Sequence, residues 1–253
     1  MANLCSNTIE LKGKAVELKR FDGQFKASHT SFRGGTLYTK KEHFEIDEKW
    51  IDYNIIKEDE DGSMRVCVID EMSEQEGYSF SNFVPMTKED WLNDWYKWCV
   101  KNWGTKWDIG DDIFVNGLEE IEEAIKNNDP DKELTLTYSI TTAWSPCCPV
   151  VAEMARQYPG LKIAHAYQED GLLIAGIQKF ENGELISHEQ ADPDEFREFL
   201  LEGFEEEFFR CKDCNGLLYE WELEDDACPD CGSKNIEDCE QINKGLNEEV
   251  EEN

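Results

Sequence analysis

Four cysteines near the C-terminus place the strongest constraint on how this chain can fold. Cys211 and Cys214 form one C-x-x-C pair, and Cys228 and Cys231 form a second pair. A tight turn can direct both thiolates of such a pair to one side, and two pairs complete the tetrahedral coordination that Zn²⁺ requires. Because four cysteines leave no open coordination position, the pattern predicts a zinc ribbon with one structural zinc ion per chain.

The residues around the four cysteines are mostly acidic, and they include Asp213, Glu222 and Asp230. Four thiolates bound to Zn²⁺ would add negative charge to this region. Contact with phosphate groups is therefore disfavoured. We expect the ribbon to stabilise a short segment of the chain or to contact a protein.

The charge of the whole chain restricts its partners. The 253 residues have a formal net charge of −32, and 40% of them are hydrophobic, which is enough to bury a core. Such a charge opposes direct binding to nucleic acid or an anionic membrane and favours a basic protein partner. The alternative interpretation is simply the solvated surface of a soluble acidic protein. No signal peptide or long apolar stretch is visible, so we expect a cytoplasmic location.

Periodicity predicts an α+β fold with an antiparallel sheet and helices on one face. The most complete local signal lies between Thr87 and Gly104, where Thr87 and Asp90 have the spacing of a capping box and Gly104 suits a helix C-terminus. This signal predicts a helix over 88–102. Further helices are predicted over 14–21, 118–127, 149–158 and 194–209. Strands are predicted over 8–12, 64–69, 78–84, 134–140, 162–167, 172–180 and 185–188.

The tryptophans fall into two groups. Trp91, Trp95 and Trp98 have helical spacing and are predicted to pack on the sheet. The stretch WCVKNWGTKWD, residues 98–108, continues beyond the helix with tryptophan and lysine side chains. The end of this stretch and a later loop are predicted to form a binding surface. Its residues are Asn102, Trp103, Lys106, Trp107, Asp108 and Trp144.

Three stretches bear on the family of the chain. They are MANLCSNT at the start with Gly13, the central WCVKNWGTKWD, and TAWSP at 142–146 followed by Tyr158-Pro159 and YQEDG at 167–171. Over about residues 1–190 the chain resembles the YubB ferredoxin-like domain family of phage- and plasmid-borne proteins. The resemblance implies a ferredoxin-like sheet and a mobile genetic context, and it implies no reaction. The chain departs from the family pattern at Leu4 and Cys147, where an aromatic residue and a proline are common.

The predicted organisation has four parts. A YubB-like ferredoxin-like α+β domain occupies 1–190, and a connecting helix occupies 191–209. The zinc ribbon follows over 210–240. An acidic tail ends the chain over 241–253.

No nucleotide-binding, metalloprotease or serine-hydrolase motif is present, so no catalytic residue is predicted. The sequence favours a non-enzymatic protein-binding module with a structural zinc ribbon, and a host enzyme is one candidate target. A first alternative is an accessory protein of phage replication or regulation that associates with nucleic acid. A second alternative is an enzyme that acts on a small ligand near Trp103, Trp107 and Trp144.

Overall fold

A computed structural model describes residues 3–110, 113–203, 208–219, 222–223 and 226–239. The chain divides into two compact units. The first contains 3–169 and 178–188, and the second contains 170–177 and the described residues from 189 onward. Among the described helices, none is long and apolar enough to cross a membrane. The predicted acidic tail, 241–253, lies outside the described residues.

The strands in chain order are β1 (Leu4–Lys14), β2 (Ser28–Lys40), β3 (Asp52–Glu58), β4 (Ser63–Glu76), β5 (Ile113–Asn116), β6 (Glu133–Ala143), β7 (Lys162–Glu169), β8 (Ile174–Glu181), β9 (Glu184–Gln190), β10 (Phe209–Cys211), β11 (Leu217–Leu218) and β12 (Ile236–Asp238). The helices are α1 (Ala15–Phe25), α2 (Lys88–Asn102), α3 (Leu118–Lys126), α4 (Cys148–Gln157) and α5 (Phe196–Gly203). Antiparallel pairing and a modest number of helices confirm the predicted α+β class.

The largest sheet has the strand order β5-β6-β1-β7-β8-β9. Strand β1 lies between β6 and β7 and is antiparallel to both, and β5 is antiparallel to β6. In chain order β1, α1, β5, β6, α4 and β7 therefore form a β-α-β-β-α-β unit, with α3 inserted before β6. This is the ferredoxin-like arrangement that was predicted.

The core of the first unit lies between this sheet and its helices. Strand β1 alternates buried and outward residues, so Ile9 and Leu11 face inward beside Tyr138 of β6. Phe21 and Phe25 of α1 pack on the same cluster, and their ring centres lie 5.9 and 5.1 Å from the ring of Tyr138. Buried residues of α3 and α4 join this cluster. The aromatic side chains thus fix the helices on one face of the sheet.

A second sheet, with strand order β2-β4-β3, lies between α1 and β5 in the sequence and belongs to the first unit. Helix α2 packs against it. The indole N–H of Trp91 donates to the carbonyl of Val68 on β4 at 3.0 Å, and that of Trp95 donates to Thr36 Oγ1 on β2 at 3.1 Å. Trp91 and Trp95 of the predicted stripe therefore pack on this sheet, whereas the ring of Trp98 packs edge-on against Trp103 at 5.2 Å.

The predicted strand over 78–84 is wrong. Phe80–Asn82 form a 3₁₀ turn, because the side chain of Ser79 accepts a hydrogen bond from the N–H of Ser81. Asn82 Nδ2 donates to the carbonyls of Phe25 and Ala27 at 2.8 and 3.1 Å. These side-chain hydrogen bonds replace the backbone hydrogen bonds that a strand would make with its neighbours.

The second unit contains α5 and a sheet with the order β11-β10-β12. Phe196, Leu200, Phe208 and Leu217 form its apolar cluster with Ala175. The predicted connecting helix is too long at its C-terminal end, since Phe209 begins β10, and residues 204–207 lie outside the described part of the chain. Phe208 already packs into the cluster, and the chain pairs as a strand from the next residue onward.

Candidate metal centre and aromatic surface

Two similar turns hold the four cysteines of the second unit. In the first turn, the N–H of Asn215 donates to the carbonyl of Cys211 at 2.8 Å, and the N–H of Cys211 donates to the carbonyl of Gly216 at 3.0 Å. The second turn, from Cys228 to Ser233, repeats both bonds at the corresponding positions, each at 2.8 Å. The two C-x-x-C pairs thus occupy equivalent backbone geometry.

The residue after each pair has a left-handed backbone, with φ of 65° at Asn215 and 71° at Gly232. Glycine and asparagine adopt this conformation at low cost. In the first turn the left-handed residue is Asn215, which directly precedes Gly216. This conformation reverses the chain directly after the second thiol of each pair.

The four sulfur atoms lie within 4.8 Å of one another. Cys211 Sγ is 3.5 Å from Cys231 Sγ, and Cys214 Sγ is 3.7 Å from Cys228 Sγ. A disulfide would need about 2.05 Å. Sulfurs placed about 2.3 Å from a tetrahedral Zn²⁺ are separated by roughly 3.8 Å, so the donor set fits a four-thiolate metal centre.

Backbone N–H groups prepare one of these thiols for metal binding. Hydrogen bonds from the backbone of Cys214 and then Asp213 lower the pKa of Cys211 to about 7, whereas hydrogen bonding to Cys211 raises the pKa values of Cys214 and Cys231. Metal ligation requires the thiolate, so a lower pKa reduces the cost of releasing the proton. Cys239 is not part of the cluster of four.

Acidic residues of the ribbon take part in its internal bonds. Asp213 accepts from Ser233 Oγ at 2.6 Å and from Asn235 Nδ2 at 3.3 Å, which joins the two turns. Glu222 is paired with Arg197 at 2.6 Å. These two carboxylates therefore have structural partners, whereas Glu220, Glu224 and Asp225 lie outside the described residues.

A group of four side chains in the first unit forms what we call the Lys106 surface: Tyr96, Lys106, Trp107 and Trp144. Lys106 Nζ lies 5.0 Å from the ring centre of Trp107 and 4.3 Å from that of Trp144. The ring of Tyr96 packs edge-on against Trp144 at 6.4 Å. Tyr96, Trp107 and Trp144 are 38%, 42% and 37% exposed, which is unusual for such large rings.

Close packing between the end of α2 and the loop after β6 builds this surface. Gly104 has φ of 87°, and a Cβ there would lie 2.6 Å from the carbonyl oxygen of Pro146. Thr105 Oγ1 donates to the carbonyl of Ala143 at 3.1 Å and accepts from its N–H at 3.0 Å. Ser145 Oγ donates to the carbonyl of Gly104 at 2.6 Å. Glycine at 104 lets the two segments meet, and these bonds hold them there.

The structure divides the six residues of the predicted binding surface. Lys106, Trp107 and Trp144 meet at the Lys106 surface. Trp103 is only 4% exposed, and Asp108 is half-buried with its carboxylate bonded to Ser79, Phe80 and Ile109, so neither joins the Lys106 surface. Asn102 donates to a carbonyl one helical turn earlier at 2.9 Å. Tyr96 was missed because its contact with Trp144 joins residues far apart in the chain.

The backbone of Trp144 has φ of 70°, a conformation that bulky residues rarely adopt. Both Trp144→Gly and Trp144→Ala remove the ring, but only glycine adopts the left-handed backbone without strain. We therefore expect the unfolding free energy of Trp144→Gly to be about 1 kcal/mol higher than that of Trp144→Ala. Urea denaturation of the two variants would measure this difference. Equal stabilities would show that the backbone at this position stores no strain.

A buried polar cluster lies beneath α4. Asn7 Oδ1 is 3.0 Å from His165 Nε2 and 3.4 Å from Cys147 Sγ, and His165 Nδ1 is 3.4 Å from Gln178 Oε1. Asn7 Nδ2 donates to Thr142 Oγ1 at 2.9 Å. Burial lowers the pKa of His165 to about 4 and raises the pKa of the Cys147 thiol well above its usual value. Near pH 7 both groups are neutral, which is unlike a thiolate–imidazolium pair.

This histidine gives a pH prediction. Its folded pKa is below the value of about 6.5 in an unfolded chain, so the unfolded state binds the proton more readily. The resulting stability is present above pH 6.5 and is lost as the pH falls toward 4. Between pH 7 and pH 4, we expect wild type to lose about 3 kcal/mol more unfolding free energy than His165→Gln. A difference that stays constant with pH would contradict this prediction.

Comparisons with known proteins found similarity to a family model and to a solved structure. Residues 120–212 match the family model described as the ferredoxin-like domain in Api92-like protein. The matched part runs from α3 through β10 and includes Trp144 and Cys211. The crystal structure of a protein api92 from Yersinia pseudotuberculosis aligns with 76% of this chain and 99% of its own chain, with 10% identity and a TM-score of 0.44. No curated protein matches the chain.

Proposed function

We propose that the chain is a non-enzymatic binding protein that contacts a protein partner through the Lys106 surface. The observation that supports this most is a cluster of three exposed large rings, two of which, Trp107 and Trp144, lie against the ammonium group of one lysine. Tryptophan and tyrosine are enriched in the residues that dominate binding energy at interfaces. Lys106 holds the rings of Trp107 and Trp144 in place, so their ordering costs little when a partner binds.

The charge of the chain indicates the chemistry of that partner. A net charge of −32 attracts a basic surface over long distances and accelerates its approach. We propose a basic protein, with the apolar contact made at the rings and the orientation set by carboxylates. The resemblance to the YubB family suggests a phage or plasmid protein in the host cytoplasm, and a host enzyme is then the leading target.

Affinity capture from host lysate tests this proposal. Trp107→Ala and Trp144→Ala are each expected to lower the recovery of the captured protein at least about tenfold. Phe114→Ala is the matched control, because Phe114 lies on β5, is 70% exposed and is not one of the four residues of the Lys106 surface. Raising the salt concentration should weaken capture by wild type. If both tryptophan variants retain full capture, the Lys106 surface is not the contact site.

A second candidate function is association with single-stranded nucleic acid. The observation that favours it is a lysine side chain beside exposed aromatic rings. Bases stack on tryptophan and tyrosine, and Lys106 or the exposed Lys101 would neutralise a phosphate. The surplus of carboxylates opposes this function. Retarded migration of a labelled oligonucleotide at low salt, lost in Trp144→Ala, would favour it over the protein partner. Unchanged migration at low salt would exclude it.

We also propose that the metal of the ribbon is zinc, bound once per chain by Cys211, Cys214, Cys228 and Cys231. The sulfur geometry supports this assignment. Four thiolates fill the coordination sphere, so the ion has a structural role. The bound ion would hold the two turns together and stabilise the second unit.

A further inference from the structure

A cavity of about 230 Å³ lies inside the first unit, between β2, α2 and the segment after α2. Its wall is largely apolar, and five of its lining residues contribute Phe or Trp rings: Phe32, Trp91, Trp95, Trp103 and Trp107. A cavity of roughly 150 Å³ lined by apolar side chains accepts benzene. This cavity is therefore large enough for a small organic molecule.

The tryptophans of the wall are fixed by their own hydrogen bonds. The indole N–H groups of Trp91, Trp95 and Trp103 donate to Val68, Thr36 and Val84 at 3.0, 3.1 and 3.0 Å. Trp91 and Trp95 are also stacked on each other at 5.5 Å. Their N–H donors are thus engaged with protein acceptors, and what these rings offer a ligand is apolar and π surface. A wall fixed in this way is formed before any ligand enters.

One acidic group lines this aromatic wall. Asp108 accepts from the N–H groups of Phe80 and Ile109 at 2.7 and 2.9 Å and from Ser79 Oγ at 2.5 Å. A carboxylate has about four acceptor sites, so these three bonds leave one. Among the described residues that line the cavity, none is lysine or arginine, and the other titratable groups are His29 and Cys99. Burial raises the pKa of Asp108, so the carboxylate gains from any compensating cation.

We propose that this cavity binds a small organic cation, specifically a methylated ammonium group on a short arm. The faces of aromatic rings attract such cations, and an aromatic wall with one acid is the chemistry that recognises quaternary ammonium groups. Inorganic cations fit poorly, because Mg²⁺ and Ca²⁺ need several oxygen ligands where the wall offers mainly carbon. This site goes beyond the protein contact proposed above, and it shares only Trp107 with the Lys106 surface.

The test compares choline with its neutral carbon isostere, in which a tert-butyl group replaces the trimethylammonium group. Both are titrated into the full zinc-loaded chain and followed by calorimetry and tryptophan fluorescence. Choline is expected to bind at least about tenfold more tightly than the isostere, because only the cation gains from the π faces and Asp108. Equal binding of the two compounds would overturn the cation class. Absence of binding by either would overturn the site.

Variants place the binding in the cavity. Ser31→Trp fills the cavity from β2 and should abolish choline binding, whereas Asp108→Asn removes the charge and should weaken it at least about tenfold. If Asp108→Asn fails to fold, Trp107→Ala is measured in its place and should also weaken choline binding. Trp107 is 42% exposed, so its replacement has less effect on folding. The control Phe114→Ala should bind as wild type. Choline binding that survives Ser31→Trp with an unchanged unfolding midpoint would show that the ligand binds elsewhere.

Discussion

Replacing Cys211 with serine is expected to reduce zinc from about one ion per chain to near zero and to unfold the ribbon. Zinc centres of this kind supply an apparent binding free energy of about 10–16 kcal/mol, which is also folding free energy. The apolar cluster at the metal centre is small, since it buries Leu218 with two of the cysteines and has Leu223 and Ile236 packed against them. Loss of the ion should therefore have the largest effect on the second unit.

Metal analysis and hydrogen exchange measure this outcome. Amide protons in β10 and β12 should exchange slowly in the zinc-loaded chain and rapidly in Cys211→Ser. Cys239→Ser is the matched control, since this cysteine belongs to the same unit and not to the group of four, and its variant should keep the ion. A ribbon that stays protected without zinc would contradict the structural role.

Local chemistry explains which elements were predictable from the sequence. Helix α2 begins and ends at the predicted residues, because the capping box of Thr87 and Asp90 is present and Gly104 has a positive φ. The strand predicted over 78–84 failed, since its backbone is held by Ser79 and by tertiary bonds of Asn82. The sequence of residues 78–84 alone does not indicate hydrogen bonds to residues more than fifty positions away.

The same distinction applies to the candidate sites. The cysteine cluster was predictable because the metal dictates both the ligand type and the spacing within each pair. Lys106, Trp107 and Trp144 were named, but their meeting depends on Gly104 packing against the loop after β6. Strands β2 and β3 both pair with β4 and not with each other. Neither this pairing nor the cavity between α2 and β2 could be predicted from the sequence pattern.

Removing the carboxylate of Asp22 should have the largest effect on the first unit. Asp22 is fully buried in α1, where Oδ1 accepts from the hydroxyls of Tyr78 and Tyr138 at 2.8 and 3.1 Å. Oδ2 pairs with Lys26 Nζ at 2.6 Å. Asp22→Ala would leave a cavity, an unpaired lysine and two hydroxyls without their acceptor. We expect a loss of about 3–5 kcal/mol in unfolding free energy by urea denaturation.

Asp131→Ala is the matched control for this loss. Asp131 also pairs with a lysine, Lys14, at 2.8 Å, but both side chains are exposed, so its removal should cost less than about 1 kcal/mol. Adding Tyr138→Phe to Asp22→Ala tests the cause. The hydroxyl is favourable while Asp22 accepts from it and unfavourable once its acceptor is gone. Tyr138→Phe should therefore destabilise the wild type and partly restore the Asp22→Ala variant. If it destabilises both equally, the loss at Asp22 does not come from the orphaned hydroxyl.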